Sequence, residues 1–517
     1  MGDTSATKVT AIPTDVAALR DTFNADRTRP LATRKRLLRQ ILALVNENEK
    51  ELCAALKVDL NRHPHEGFYI ELNMIKSEVQ EHLDYLDDWA APRAVSTPMA
   101  CFPGHSSLVA EPLGVVLVFG TWNYPIYTTL LPLAGILSAG NCAYIRLAAD
   151  GSTDATNAVL AKLLPEYLDR DFVRVARGGL DVSKACLAQR YDLIFCTGSE
   201  RIGKIIARAA AETLTPTVLE LGGKTPTIVD ETADLDVSAR RIAWGAFLNA
   251  GQTCVRPDHV FVSETVGDAF VDLLKHHIVS LFSSDPETFD TYGRVVNQMQ
   301  VDKMAQILAA DAAYIVHGGQ VTAATRFVAP TVLNFGSDHA AFDASAAMAD
   351  EIFGPILPVV YYRDVPSVIA AIRRRPKPLS LYVFSRTQAT IDAFLERTSS
   401  GSFCINDDML PMSNHNLPHG NVGLGRYHGK FSFETFSHDK GVLRKYFALD
   451  LPQRYMPYSD LDTAFVRFVT SPIPRAVGQA ALGVAIAVPV AAVAYAAFNH
   501  VPETYLGRLR QCMWPTK

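Results

Sequence analysis

VLELGGKTPTIVDETADLDVSARRIAWGAFLNAGQTCVRPDHV, residues 218–260, places an acid and a thiol in two short polar segments. The acid is Glu220, at the start of a glycine-bearing turn, and the thiol is Cys254, which follows the polar loop 251–253. Such a pair suits two-step acyl chemistry, in which the thiol attacks and the carboxylate activates water. A lone cysteine is more often an inert core residue. Cys254 differs because Gly, Gln and Thr precede it, whereas Cys196 sits in an apolar run.

The motifs ELGGK and GQTC in this stretch resemble those of the aldehyde dehydrogenase superfamily. Further stretches are similar to its class 3 branch, and most like the membrane-bound fatty aldehyde dehydrogenases: EPLGVVLVFGTWNYP (Glu111–Pro125), DEIFGPILPVV (Asp350–Val360), KPLSLYVFS (Lys377–Ser385) and RYHGKFSFETFSH (Arg426–His438). The resemblance implies an α/β fold with an atypical Rossmann cofactor domain, an α/β catalytic domain and a small β oligomerisation element.

A chain of 517 residues is longer than one hydrophobic core usually supports, so we expect several domains. The motifs and the alternation of apolar segments give their bounds. We place an NAD(P)-binding domain at 12–95 and 118–218, a catalytic domain at 219–417, an oligomerisation or bridging element at 96–117 and 418–450, a gatekeeper segment at 455–475 and a transmembrane anchor at 476–498.

Composition excludes several classes of protein. Hydrophobic residues make up 48% and charged residues 20%, which is typical of a globular chain rather than a disordered one. The net charge of −5 provides no basic surface for nucleic acid. Eight cysteines are scattered without zinc-ligand or disulfide spacing, so we predict no metal site and a reducing compartment.

Between Leu31 and Trp89 apolar residues recur at helical spacing, which predicts a helical layer with its charges on a solvated face. The apolar run Gly114–Phe119 then predicts a strand that is covered on both faces of its sheet. Asn123 lies in the turn just past that strand, where open α/β sheets bind ligands. From its residue type alone it is an Asx-turn residue. The resemblance instead gives Asn123 the role of oxyanion donor.

Gly198, Ser199 and Gly203 follow a strand predicted near Leu193–Cys196 and open a helix, which is typical either of a pyrophosphate site or of an ordinary βα turn. The resemblance implies that Glu351 bonds the nicotinamide ribose and that Phe353 packs near the nicotinamide ring. Further cofactor-binding residues implied by the resemblance are Trp122, Gly178, Leu221 and Gly222. The cofactor is accordingly NAD or NADP.

The chain departs from its relatives at two places. Relatives typically read Lys-Pro-Ser-Glu where this chain has Arg146 and, three residues later, Ala149. The chain lacks an acid near the adenosine ribose but keeps Arg146, and Arg177 stands beside the next Gly-Gly pair. This predicts that NADP is accepted better than by a typical NAD-selective relative. Alternatively, Arg146 snorkels from a strand end. The second departure is His419, which replaces a phenylalanine in a shortened loop at the predicted substrate mouth.

Residues 476–498 are uncharged and almost wholly apolar, and their number suits a hydrocarbon core of ~30 Å. An Ala-rich core or dimer helix is the alternative, but no polar stripe is present to face water. Asp460–Val469 predicts an amphipathic helix over the substrate entrance. We expect a membrane anchor with the catalytic domain in the cytosol, on the endoplasmic reticulum or else on a peroxisome-like organelle or the mitochondrial outer membrane.

The predicted activity is oxidation of medium- to long-chain aliphatic aldehydes by NAD(P), through a thiohemiacetal and a thioester on Cys254. Glu220 would activate the water that releases the acid. A dehydrogenase that passes the acyl group to coenzyme A is one alternative, and a non-catalytic membrane-tethered scaffold is another. The resemblance also suggests a homodimer, with the stretch from SFETFSH to Leu443 supplying edge strands.

Overall fold

The computed structural model describes residues 6–447 and 450–471, and the chain in it forms two compact units. The larger unit comprises the chain up to Ala90 together with Glu111–His438. The smaller unit comprises Ala91–Ala110 and the chain from Asp439 onwards. Both predicted domains that carry the site therefore belong to one unit, while the predicted boundaries between them stay a prediction.

Helices form where apolar residues recur every three to four positions. Their bounds are α1 (Ile12–Asn24), α2 (Leu31–Glu47), α3 (Glu49–Leu60), α4 (Pro64–Glu66), α5 (Asn73–Ala90), α6 (Tyr127–Ala139), α7 (Asp154–Tyr167), α8 (Leu180–Leu187), α9 (Glu200–Ala211), α10 (Leu235–Phe247), α11 (Gly267–Phe282), α12 (Gln298–Ala310), α13 (His339–Ala344), α14 (Ala346–Ala349), α15 (Val365–Arg373), α16 (Gln388–Arg397), α17 (Gly429–Thr435) and α18 (Asp460–Thr470). The helical layer predicted between residues 31 and 89 is thus confirmed as α2, α3 and α5.

Strands form where β-branched and aromatic residues cluster between turn signals. Their bounds are β1 (Arg93–Val95), β2 (Gly104–Pro112), β3 (Val115–Phe119), β4 (Cys142–Arg146), β5 (Val173–Ala176), β6 (Leu193–Gly198), β7 (Thr217–Leu221), β8 (Pro226–Val229), β9 (His259–Ser263), β10 (Ile315–His317), β11 (Val321–Thr322), β12 (Phe327–Val328), β13 (Thr331–Asn334), β14 (Ile356–Tyr362), β15 (Ser380–Phe384), β16 (Ser402–Ile405), β17 (His419–Gly420), β18 (Arg426–Tyr427) and β19 (Ser437–Lys445).

The first large sheet has the order β5-β4-β3-β6-β7, and its strands are parallel. The order in which strands are added to the sheet reverses at β3. The strands β4 and β5 lie on one side of β3, and β6 and β7 lie on the other side. All four valine and leucine residues that open β3 are fully buried, as the apolar run predicted. The reversal creates a crevice at the carboxyl edge of the sheet, where ligands bind in folds of this kind.

The second large sheet has the order β10-β13-β14-β9-β8-β15-β16 and is parallel except for the pairing of β10 with β13. Separate apolar clusters cover its two faces, one packed under α12 and α15 and the other under α10 and α11. Covering both faces explains why β14 is buried along its whole length. The sheet supplies the frame from which the loop of Cys254 projects.

The smaller unit is built on the sheet β1-β2-β19, with β1 and β2 antiparallel, and contains α18. The helix predicted at Asp460–Val469 is confirmed, and Ser459 caps it through a reciprocal capping box with Asp462. The edge-strand prediction is correct only from Ser437 onwards. Residues 432–435 belong to helix α17, because Phe433 turns inward from that helix and is buried.

The predicted anchor at 476–498 and the last residues of the predicted gatekeeper segment lie outside the described residues. Within the described ranges, no helix combines the length and the apolar character that crossing a bilayer requires.

Candidate active site

Cys254 lies in a buried loop between α10 and β9 whose backbone is held by the side chain of Gln252. The Gln252 amide donates to the carbonyls of Asn249 (2.9 Å) and Arg294 (3.0 Å), and its oxygen accepts from the Val296 N–H (2.8 Å). Three consecutive residues, 249–251, have positive φ and reverse the chain immediately before the cysteine. The polar residues next to Cys254 therefore fix the position of the thiol, which itself stays partly accessible.

The predicted oxyanion donor, Asn123, contacts this cysteine loop directly. Its Nδ2 donates to the Gln252 carbonyl at 3.1 Å, and the neighbouring Tyr124 hydroxyl bonds Thr253 Oγ1 at 2.6 Å. The Asx-turn alternative is wrong, because Oδ1 accepts from the Thr121 hydroxyl (2.7 Å) and the residue that would supply the turn's N–H is a proline. One proton of the Asn123 amide remains available for an oxyanion.

Glu220 lies at the carboxyl end of β7 and is 3% exposed. Neither of its carboxylate oxygens has a hydrogen-bond partner among the described residues. Burial raises the pKa of Glu220 well above its usual value, because the charged form loses its hydration. Gly420 backs onto this carboxylate so closely that a methyl group there would lie 2.4 Å from Oε1. The carboxyl group is thus positioned by packing and free to bind water.

The thiol of Cys254 is influenced by two carboxyl groups of the site. Burial, followed by the like charges of Glu351 and Glu220, raises the pKa of Cys254 to about 12. Glu351 itself has a pKa raised to about 8, first by burial and then by Asp258. Both acids predicted from the sequence therefore lie within electrostatic reach of the predicted nucleophile. In the free protein the sulfur is a protonated thiol near neutral pH.

The predicted cofactor residues gather at the carboxyl edge of the first sheet. Gly198 pairs with Leu221 across β6 and β7, and Gly203 leaves room for the Leu221 side chain, which would be 2.8 Å from an added methyl group. Ser199 caps α9 by accepting from the Ile202 N–H. These residues form an open glycine-lined cradle at a helix N-terminus, which fits a pyrophosphate group.

Glu351 and Phe353 reach the same edge from a loop of the second sheet. The Glu351 carboxylate lies against Gly222, where an added methyl group would be 2.3 Å from Oε2, and Phe353 meets Trp122 edge to face at 5.2 Å. Lys303 holds this loop by donating to the carbonyls of Glu351 (2.8 Å) and the next residue (3.1 Å). A carboxylate and two aromatic rings beside a glycine fit a ribose and a nicotinamide.

Arg146 occupies a different environment from the one predicted. It is 2% exposed, and its guanidinium donates to the carbonyls of Leu147, Gly178 (2.6 Å) and Gly179 (3.1 Å) and to Ser183 Oγ (3.1 Å). The prediction of a cation free to receive a 2′-phosphate is therefore wrong, because these acceptors engage the donors. The snorkelling alternative is also wrong, because the side chain is buried. Arg146 instead fixes the positive-φ glycine Gly178.

A buried ion pair that sequence reasoning missed supports the turn of Asn123. Arg62 is fully buried, pairs with Glu71 and donates to the Asn123 carbonyl at 2.5 Å. The other Glu71 oxygen accepts from the N–H groups of Ile126 and Tyr127 at 2.8 Å each, at the start of α6. The prediction that the charges of this helical layer face solvent is wrong for both residues, whose partners come from distant segments.

An apolar cleft lies close to the cysteine loop. Its lining includes Ile70, Trp244, Met409 and Met412, and its volume is about 30 Å³. The same four side chains belong to one apolar cluster with Cys254. The loop 406–426, predicted to form the substrate mouth, supplies both methionines. The candidate nucleophile therefore adjoins an apolar surface.

Three comparisons place the chain among known proteins. A model described as the aldehyde dehydrogenase family matches residues 1–442. The dog "aldehyde dehydrogenase, dimeric NADP-preferring" is 38% identical over 86% of this chain and 97% of its own, and mouse aldehyde dehydrogenase family 3 member A2 is 37% identical over 88% and 93%. A substrate-bound Staphylococcus aureus AldH structure is 34% identical, with a TM-score of 0.84 over 88% of this chain and 98% of that one.

Proposed function

This chain belongs to the aldehyde dehydrogenase family, and from that premise we propose that Cys254, Asn123 and Glu220 carry out its oxidation of aldehydes. The enzyme uses NAD or NADP. The observation that supports the three residues best is the direct contact between the Asn123 amide and the cysteine loop at Gln252. This hydrogen bond joins two segments that are about 130 positions apart, and the sequence analysis had assigned a catalytic role to each segment separately.

The Cys254 thiol first gives up its proton to water, and the resulting thiolate adds to the aldehyde carbon, so that a thiohemiacetal oxyanion forms. The Asn123 Nδ2–H and the Cys254 backbone N–H donate to that oxyanion. When bound, NAD(P)+ supplies the acceptor for the hydride that leaves the same carbon. Glu220 then removes a proton from water as the water oxygen attacks the thioester, the C–S bond breaks, and the acid departs.

Replacing the nucleophile tests this assignment. Cys254→Ser should abolish aldehyde oxidation while leaving cofactor binding unchanged, because an alcohol is a far poorer nucleophile than a thiolate at neutral pH. Cys404→Ser is the matched control, since Cys404 is a partly buried thiol on β16 away from the loop. NAD(P)H formation with purified protein is the measurement. Substantial activity in Cys254→Ser would contradict the covalent mechanism.

We further propose that the substrates are medium- to long-chain aliphatic aldehydes. The apolar cleft supports this, because each buried methylene contributes roughly 0.8 kcal/mol to binding. kcat/KM should therefore rise with chain length until the cleft is filled. Met409→Trp, which narrows the cleft, should lower the optimum length, whereas Met299→Trp at an exposed position should not. A flat series in the unmodified enzyme would remove the fatty-aldehyde assignment and leave the dehydrogenase.

Two alternative functions make different predictions. An enzyme that passes its acyl group to coenzyme A would form NAD(P)H only when coenzyme A is present. A scaffold would form none. Glu220 favours hydrolysis over both, because its free carboxylate oxygens suit water activation and serve no structural hydrogen bond among the described residues.

We propose that the enzyme accepts NADP well, although Arg146 does not support this proposal because its guanidinium binds backbone carbonyls. The remaining support is the exposed Ala149, which supplies no acid, and the name of the NADP-preferring dog relative. Against it stands Asp150, whose carboxylate lies 3.9 Å from Arg177 Nε. Ala149→Glu should shift kcat/KM toward NAD+ through repulsion of the 2′-phosphate. An unchanged cofactor ratio would contradict the proposal.

We also propose that residues 476–498 anchor the enzyme in a membrane, with the catalytic domain in the cytosol and the endoplasmic reticulum as the first membrane to examine. The uncharged sequence of this segment supports the anchor. A homodimer is proposed on the name of the dimeric dog relative. Light scattering of detergent-solubilised protein would test the dimer.

A further inference from the structure

A short hairpin brings polar residues up to the back of Glu220. Its strands β17 and β18 pair His419 with Tyr427 and Gly420 with Arg426. The hairpin is joined to β7 by reciprocal backbone bonds between Leu219 and Leu424. Gly420 touches the Glu220 carboxylate, as described above. The hairpin, which carries the imidazole of His419 and the phenol of Tyr427, therefore begins beside Glu220, the proposed catalytic base.

The hydroxyl of Tyr127, on α6, links Tyr427 of the hairpin to His428, the residue that follows Tyr427 in the chain. The Tyr127 hydroxyl and His428 Nε2 are 2.6 Å apart, and Tyr127 is also hydrogen-bonded to Tyr427. His428 is fully buried, and its Nδ1 has no hydrogen-bond partner in the part of the chain that the structure describes. His419 stacks on the His428 ring at 5.3 Å. The imidazole thus has one engaged nitrogen facing the active site and one unengaged.

Beyond His428 lies a second pair of groups that reaches the surface. His415 Nδ1 is 2.8 Å from Glu78 Oε2, and the His415 side chain is 15% exposed. The other Glu78 oxygen accepts from the Gly429 N–H (2.8 Å), from Ser432 and from His82. One ligand-type atom from each of Glu78, His415 and His428 lies within 4.8 Å of the others. We call these three residues the glutamate–histidine cluster.

The composition of this cluster would suit a divalent metal ion, but its hydrogen bonding favours protons. Glu78 already accepts hydrogen bonds on both oxygens, and it holds the pKa of His415 above its usual value, so that a proton competes with any metal there. Burial instead lowers the pKa of His428 to about 4, which keeps that ring neutral. A neutral imidazole with one free nitrogen, beside a protonatable one at the surface, is suited to passing protons.

We propose that Tyr427, Tyr127, His428 and the rest of the glutamate–histidine cluster carry the proton taken up by Glu220 during thioester hydrolysis to the surface at His415. Neither Glu220 oxygen is hydrogen-bonded to a phenol among the described residues, so Glu220 returns that proton to Tyr427 through a bound water. Tyr427 then donates to Tyr127, Tyr127 donates to His428 Nε2, and His428 Nδ1–H releases its own proton toward Glu78 and His415. The separation of up to 4.8 Å is short enough for one bridging water. This inference rests on the proposed role of Glu220, and all five side chains are positioning residues.

The titratable groups around His428 come from every element packed against it. They are Glu78 and His82 on α5, Tyr127 on α6, His419 and Tyr427 in the hairpin, and His415 in the preceding loop. His82 binds Glu78 on the side away from Tyr127 and is not part of the proposed chain. No other exit for the Glu220 proton is needed, because this chain ends at a partly exposed imidazole.

The test uses the full-length enzyme and stopped-flow measurement of NADH with octanal. His428→Ala should keep the first-turnover burst, which reports formation of the thioester, and lower the steady-state rate by about 10-fold or more. Added imidazole should restore much of that rate in His428→Ala. It should have no effect on the unmodified enzyme or on His276→Ala, a control at an exposed histidine. Rescue by imidazole is not expected of a purely structural role.

Tyr127→Phe provides a second variant that removes one hydroxyl and keeps the ring, in case His428→Ala fails to fold. It should show the same retained burst and slowed steady state, with a smaller solvent deuterium isotope effect on turnover. A steady-state rate equal to that of the unmodified enzyme in either folded variant would overturn the proton chain. Absence of an acyl adduct on Cys254 in Glu220→Gln, after mixing with octanal and NAD+, would instead overturn the proposed function, so the two failures are distinguishable.

Discussion

At the scale of single residues, Glu220, the proposed catalytic base, is positioned by the close approach of a glycine, which has no side chain. Gly420 has φ +115° and backs onto Glu220, so Gly420→Ala adds both backbone strain and a clash with the carboxylate. We expect thioester hydrolysis to slow by about 10- to 100-fold, because small displacements of a reacting group are costly. Gly336→Ala is the control, since its φ is also positive but the space around it is open. Equal activity of both variants would contradict this account of Gly420.

The thiol of Cys254 should respond to the charge of Glu351. Burial and the two carboxyl groups raise the Cys254 pKa to about 12, so below that pH the thiolate fraction, and with it the alkylation rate, increases tenfold per pH unit. The pKa of Glu351 is raised to about 8, so this group carries a charge mainly above that pH. Glu351→Gln should therefore favour the thiolate and raise the rate of iodoacetamide reaction at about pH 9 to 10, with little change at pH 7. Equal rates for the two proteins at about pH 9 to 10 would show that Glu351 does not act on the sulfur.

Sequence reasoning nominated the residues proposed to react, but it did not predict the state of Arg146. Asn123, Glu220 and Cys254 each stand in a local motif, so they could be nominated without knowing their partners. The contacts of the Arg146 side chain depend instead on backbone carbonyls of a loop more than thirty positions away. A strand-end arginine has the same local sequence whether it faces a ligand or folds back onto that loop, so no local pattern could have distinguished the two.

At the scale of elements, the start of α6 depends on the buried pair of Arg62 and Glu71. Arg62→Met leaves Glu71 as an unpaired buried charge, which typically costs about 3–5 kcal/mol. The midpoint of urea unfolding should fall accordingly. Arg363→Met, which removes an exposed arginine of a surface pair, should change stability by less than about 1 kcal/mol. Similar midpoints for the two variants would argue that the buried pair is dispensable.

Elements with continuous apolar runs or clear helical periodicity were predicted well, as β3, α2 and α18 show. Burial on both faces requires such runs, so the pattern is visible in the sequence. The roles of Glu71, which precedes α5, and of Glu78 on α5 were not visible, because these two residues bind backbone groups at the starts of α6 and α17. The glutamate–histidine cluster was missed for the same reason, since Glu78 and His415 are 337 positions apart.

At the scale of the whole molecule, the catalytic unit should function without its C-terminal segment. A chain that ends at Thr470 keeps every residue of the site, so it should oxidise aldehydes with kcat unchanged and stay in the supernatant. The full-length chain should instead remain with membranes after carbonate extraction. Immunoblots of supernatant and pellet, with activity measured in each, make the comparison. Release of the full-length chain by carbonate would contradict a membrane-spanning anchor.

The covalent role of Cys254, with Glu220 as its base, is tested most directly by intact-protein mass spectrometry of Glu220→Gln after mixing with octanal and NAD+. An amide cannot take the proton from water, so the octanoyl thioester should accumulate as one added acyl mass on Cys254. The double variant that also carries Cys254→Ser should gain no mass. Unimpaired turnover of Glu220→Gln without an adduct, or an adduct on another residue, would contradict the account.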